Sequence, residues 1–137
     1  MELSSEQVQG RVVVTILRIK GDLDGSNYQE LIALARKEYD NGARDFLVDL
    51  GATTYTSSAG LVALQSIVKM LRNEKPFDPE AGWGALHEIA QQDGKGSLLE
   101  HVKLLSPLPR VDKVLELAGM KSIFPIFTDR AAAVASF

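Results

Sequence analysis

Apolar and polar positions recur along this chain with periods that change from segment to segment. From Glu2 to Gln9 the alternation is loose and fits an edge strand, and Gly10-Arg11 turns the chain into Val12–Lys20. That second run is rich in β-branched residues, which suit a pleated backbone, so the pair predicts a hairpin. Gly21-Asp22-Leu23-Asp24-Gly25-Ser26 is a cluster of turn formers. A helix then starts near Ser26 or Asn27, with Leu31, Leu34, Ala35 and Tyr39 as its inner face, and Asn41-Gly42 ends it in a left-handed turn. The next strand covers Arg44–Leu50, with Phe46–Leu50 as its apolar part, and a Gly51-Ala52-Thr53-Thr54 turn follows it. After Tyr55-Thr56-Ser57-Ser58-Ala59-Gly60, apolar residues at Leu61, Leu64, Ile67, Val68 and Leu71 keep helical spacing to about Asn73 and predict one buried face.

The second half is interrupted before it resumes the same alternation. Lys75-Pro76-Phe77-Asp78-Pro79 stops the helix, because proline cannot continue it. Glu80–Gln92 has helical spacing at Trp83, Leu86 and Ile89-Ala90, and Asp93-Gly94-Lys95-Gly96-Ser97 closes it as a turn. His101–Leu105 reads as a strand and Pro109–Ala118 as a helix with Val111, Val114, Leu115 and Ala118 inward. Gly119 caps that helix, Ile123–Phe127 makes a last strand, and Thr128 or Asp129 caps a terminal helix over Arg130–Phe137. Strands alternating with helices predict an α/β layer fold in which Phe46–Leu50 is central.

Composition narrows the function. A length of 137 residues fits one domain with a real core. The net charge of −3 leaves no basic stripe to neutralise nucleic-acid phosphates. With no cysteine there is neither thiolate chemistry nor a Cys-ligated zinc site. The longest apolar run, Val12–Leu17, is far below the ~20 residues of a spanning helix, and no signal-peptide pattern opens the chain. A cytoplasmic protein without membrane insertion is expected. Enzyme motifs are also incomplete. His87-Glu88-Ile89-Ala90-Gln91 has Gln91 where a second zinc ligand must stand, and Gly94-Lys95-Gly96-Ser97 lacks the first glycine of a phosphate loop. Ser57 and Ser58 sit in no nucleophile elbow. No catalytic residue, cofactor or metal is assigned.

What remains is the pair of serines ahead of the second helix. A hydroxyl there accepts from unpaired backbone N–H groups, and the same N–H groups favour an anion. The position is a cap, a place for a phosphate, or both. Tyr55-Thr56-Ser57-Ser58-Ala59-Gly60-Leu61 resembles the Tyr-x-Asp-Ser-Ala/Ser-Gly-Leu signature of STAS domains, the family of bacterial anti-sigma-factor antagonists. Gly21-Asp22-Leu23-Asp24 resembles that family's Gly-Glu/Asp-Leu-Asp, and Val111–Met120 its Val-x-x-Val-Leu-Glu-Leu-x-Gly-Leu segment. The resemblance covers nearly the whole chain apart from the 73–100 region.

The resemblance implies a single STAS domain over 1–137, with about five strands in a mixed sheet and about four helices mainly on one face. It also implies an inserted segment at about 74–98, which is either a short helix on the domain's own surface or a docking element anchored by Phe77 and Trp83. The implied function is a binding module for a serine kinase that doubles as an anti-sigma factor, of the ATP-binding kinase-like type. Phosphorylation of Ser58, with Ser57 as runner-up, would switch it off, and a metal-dependent serine phosphatase would reverse the change. The implied partner surface is Asp24, Gly25, Ser26, Thr56, Ser57, Ser58, Ala59 and Gly60. Asp24 alone also fits a plain acidic turn, and Gly60 fits close packing as well as partner approach. Ser57 replaces the family's Asp, which removes either a determinant the kinase reads or a like charge beside the phosphate. The alternative is a non-phosphorylated scaffold that assembles through residues 75–97.

Overall fold

Chain order and sheet order coincide. The computed structural model describes residues 1–72 and 99–137. Strands β1 (Glu2–Gln9), β2 (Val13–Leu23), β3 (Phe46–Thr56), β4 (Val102–Leu105) and β5 (Ile126–Phe127) form one sheet in the order β1-β2-β3-β4-β5. β1 and β2 pair antiparallel as the hairpin the sequence predicts, and every other pair is parallel. Parallel neighbours need crossovers. Helix α1 (Tyr28–Asp40) joins β2 to β3, and α3 (Pro109–Leu117) with a 3-10 turn at Met120–Ser122 joins β4 to β5. Helix α2 (Ser58–Leu71) follows β3, and α4 (Arg130–Ala135) follows β5. The helix expected at Glu80–Gln92, the anchors Phe77 and Trp83, and the insertion at about 74–98 lie outside the described residues.

Strand alternation sorts side chains onto two faces of unequal cover. Leu17, Ile19, Phe46, Val48, Leu50 and Leu104 face α1, α2 and α3 and build the main core with Leu31, Ala35, Leu61, Leu64, Ile67, Val111 and Leu115. Val14, Ile16, Leu47 and Leu105 point the other way, under Ala133 and Val134 of the short α4. Each fully buried aliphatic or Phe side chain contributes about 1.5–3 kcal/mol, so Phe46 and its neighbours on the central strand anchor the sheet. α1 ends as expected. Gly42 has φ +106, its N–H donates to the Tyr39 carbonyl, and the Ala43 N–H reaches back to Glu38.

The structure corrects four expectations. β2 does not stop at Lys20 but continues through Gly21 and Asp22 to Leu23. β3 likewise runs through the expected Gly51–Thr54 turn to Thr56. The extensions pair with each other, Gly21 with Thr53, Asp22 with Tyr55 and Leu23 with Thr56, across two register shifts that absorb the glycines. The buried Thr53 hydroxyl donates to the Ile19 carbonyl at 2.9 Å, between the residues where the first shift falls. α2 buries nine consecutive residues, Gly60 to Val68, instead of one face, and takes Gln65 and Ser66 in with the apolar ones. The last strand keeps only Ile126–Phe127. Ile123 and Phe124 are drawn into the main core, and Pro125 has no N–H for a ladder.

Candidate functional site

Because β2 and β3 run parallel, their carboxyl ends reach the same edge of the sheet, and the two motif segments meet there. One backbone bond fastens them, from the Ser57 N–H to the Leu23 carbonyl at 3.0 Å. A second tie crosses between the strands just below it, where the Thr54 hydroxyl donates to the Asp22 carboxylate at 2.5 Å.

The loop after β2 is held by its own polar groups. The Asp24 carboxylate accepts from the Ser26 hydroxyl at 2.6 Å and from the Ser26 N–H at 2.9 Å. Those two bonds, the hydroxyl first, hold the Asp24 carboxyl below the ordinary aspartate range. Asn27 accepts from the Asp24 N–H through Oδ1 and donates from Nδ2 to the Asp22 carbonyl, each at 2.9 Å. The Asp24 carbonyl also accepts from the Asn27 and Tyr28 N–H groups at the helix start, while its carboxylate serves the turn. Asp24 is half-buried, and Gly25 and Ser26 are exposed.

At the turn into α2 the two serines divide the work. Ser57 has the extended backbone of an N-cap, and its hydroxyl accepts from the Ala59 N–H at 3.2 Å. Ser58 is the first helical residue, half-buried, and its hydroxyl has no hydrogen-bond partner among the described residues. Capping thus leaves the Ser58 hydroxyl unused among the described residues. Ala59 beside it is also partly exposed.

Thr56 and Gly60 belong beneath this surface, not on it. Thr56 is 4% exposed and its hydroxyl turns to the Ser57 carbonyl. Gly60 is buried, and a Cβ there would fall on the Thr56 hydroxyl and within 2.9 Å of a Leu23 methyl. Both are buried in this structure, and the missing side chain of Gly60 lets α2 close onto the ends of β2 and β3.

Sequence reading passed over Asp22 and Asn27 as site residues, although an Asp followed by Asn in a turn is an available signal for such bonds. It gave no role to Arg110, whose guanidinium lies 5.9 Å from the ring centroid of the exposed Tyr55. No local pattern reports a contact between segments so far apart. Among the described residues, no group of three or more His, Asp or Glu is placed to hold a metal, and no helix is long and apolar enough to cross a membrane. The edge therefore offers a hydroxyl unused among these residues, ordered turns and a helix start, which suits recognition or modification.

The sequence profile of the STAS domain matches residues 5–75, from within β1 to just past α2 and through both loops. The chain belongs to the STAS domain family. Over its full length this STAS domain is 28% identical to BtrV of Bordetella bronchiseptica, named as a candidate anti-sigma factor antagonist, and covers 95% of it. Its fold is that of solved anti-sigma factor antagonists. A candidate antagonist from Thermotoga maritima matches with a TM-score of 0.68 at 18% identity, over 96% of this chain and 90% of that one. The Bacillus cell fate determinant SpoIIAA, solved in its phosphorylated form, matches with a TM-score of 0.59 at 16% identity, over 96% of each chain. The STAS domain keeps the mixed five-stranded sheet with α1, α2 and α3 on one face and α4 on the other.

Proposed function

We propose that this STAS domain is a non-enzymatic binding module of the anti-sigma-factor-antagonist kind, acting in the cytoplasm and switched by phosphorylation of Ser58. Its partner is a serine kinase that also serves as an anti-sigma factor, and a metal-dependent serine phosphatase restores the free hydroxyl. The supporting observation is the division between the serines: Ser57 caps α2, and the Ser58 hydroxyl has no hydrogen-bond partner among the described residues. The contact surface comprises Asp24, Gly25, Ser26, Ser57, Ser58 and Ala59, with Thr56 and Gly60 supporting it from below.

The switch needs no refolding. A phosphate brings about −1.5 to −2 charges to a hydroxyl that is otherwise neutral. At the first turn of α2 the helix dipole stabilises that charge within the free protein. Under a partner it must be desolvated, and a penalty of roughly 3 kcal/mol weakens binding by on the order of a hundredfold. Wild type, Ser58→Ala and Ser58→Asp serve as baits in native lysate. Wild type and Ser58→Ala are expected to retain an ATP-binding kinase, and Ser58→Asp to lose it. Equal retention of the same proteins by all three overturns the switch. No described feature favours the scaffold reading, which rests on residues 75–97.

A further inference from the structure

We propose that the docking surface continues from the Ser58 turn along the outer face of α3, and that the partner meets it with an acidic surface carrying apolar contacts. The inference rests on the binding reading above and adds the partner's chemistry. Tyr55 stands at the end of β3, 39% exposed, and Arg110 in the first turn of α3 lies over its ring. Helical spacing carries the strip on from Arg110 to Lys113 and Leu117, both exposed. Leu117 is 63% exposed and Leu108, just ahead of the helix, 38%. Six large apolar residues are exposed among the described residues, and Tyr55, Leu108 and Leu117 are three of them. Half of this apolar exposure thus falls on the end of β3 and on α3 with its lead-in, as at a binding site. The other half, Met1, Val12 and Val13, lies in or beside the β1–β2 hairpin.

Charge indicates what covers the strip. Arg110 and Lys113 form no ion pair among the described residues, whereas Asp112 is occupied by Lys121 at 3.0 Å. Glu116 is the remaining carboxylate of α3. On a chain of net charge −3, Arg110 and Lys113, without an ion pair among the described residues, outnumber the exposed Glu116 between Leu108 and Leu117 and leave a modest local excess of positive charge. Asp22 and Asp24 lie across Tyr55 from it, since Asp22 pairs with Tyr55 in the sheet. A partner that covers both sides presents acceptors and carboxylates to α3 and donors to the acidic loop. Such opposed charges fix its orientation as well as its affinity.

The test uses the purified kinase recovered with the wild-type bait and shown to transfer phosphate from ATP to this chain. Calorimetric titration with Arg110→Glu/Lys113→Glu is expected to show binding about thirtyfold weaker and less sensitive to salt. Leu117→Asp is expected to weaken binding by about tenfold, and Arg18→Glu, on the opposite sheet face, to leave it unchanged. Thermal melts check that each variant folds. Wild-type affinity in both α3 variants overturns the inference while leaving the Ser58 reading intact. A wild-type dimer that Arg110→Glu/Lys113→Glu disperses also overturns it, because a second copy then covers the strip. Absence of any kinase binding by the wild type overturns the Ser58 reading and this one together.

Discussion

The serine at position 57 does what the family's aspartate can also do, because both side chains accept from N–H groups at a helix start. Ser57→Asp is expected to keep the cap and to gain about 0.3–1 kcal/mol from a negative charge at the positive end of α2. Urea unfolding at low salt checks the gain, and added salt should diminish it. Gly60 shows two opposed effects at one atom. Alanine would recover about 1 kcal/mol of helix propensity. It would also force a methyl against Thr56 and Leu23 in a filled space, which costs about 1–3 kcal/mol. Overpacking wins, so Gly60→Ala is expected to lower the urea midpoint with little change in slope. Sequence showed the serines clearly, because helix-start signals are local. It left Gly60 undecided between partner contact and packing, since that choice depends on Leu23, a residue of another strand.

At the scale of elements, strand type was legible and strand length was not. Glycine at positions 21 and 51 reads as punctuation, yet parallel pairing carried both strands past it with two register shifts. The short α4 shows how little cover the second face has. Lys103 projects from β4 beneath it and donates to the Ser136 carbonyl and hydroxyl, each at 2.9 Å, with the Phe137 ring 4.5 Å away. Burial pushes the Lys103 ammonium below the ordinary lysine range, against the opposing pull of Asp45 and Glu100. The folded state thus disfavours this proton. Its unfavourable contribution is fully present below the folded pKa and is relieved as pH rises toward that of an unfolded lysine. Lys103→Met is expected to cost no more than about 1 kcal/mol at neutral pH and to flatten the rise in stability above it. Paired urea melts of wild type and variant from neutral to alkaline pH measure the difference.

For the molecule as a whole, the fold class followed from the alternation of strands and helices, and chain order alone brought the two loops to one edge. The strip along α3 was not legible, because Tyr55 and Arg110 come from segments that nothing local connects. The two ends of the sheet also differ in character. One carries the Ser58 turn and the acidic loop, and the other carries the β1–β2 turn, where Val134 of α4 packs closely over Gly10. The coincidence of chain order with sheet order bears on how the molecule is made. During synthesis the hairpin, α1, β3 and α2 can assemble before β4 has left the ribosome. Both loops of the site are then in place while one edge of β3 still lacks its neighbour. Phe46, Leu47 and Val48 lie on that edge until Val102, Lys103 and Leu104 arrive to pair with them. The nascent chain therefore passes through a stage in which the Ser58 turn and the acidic loop are set, α3 has yet to join them, and the apolar start of β3 is open to pairing with another chain.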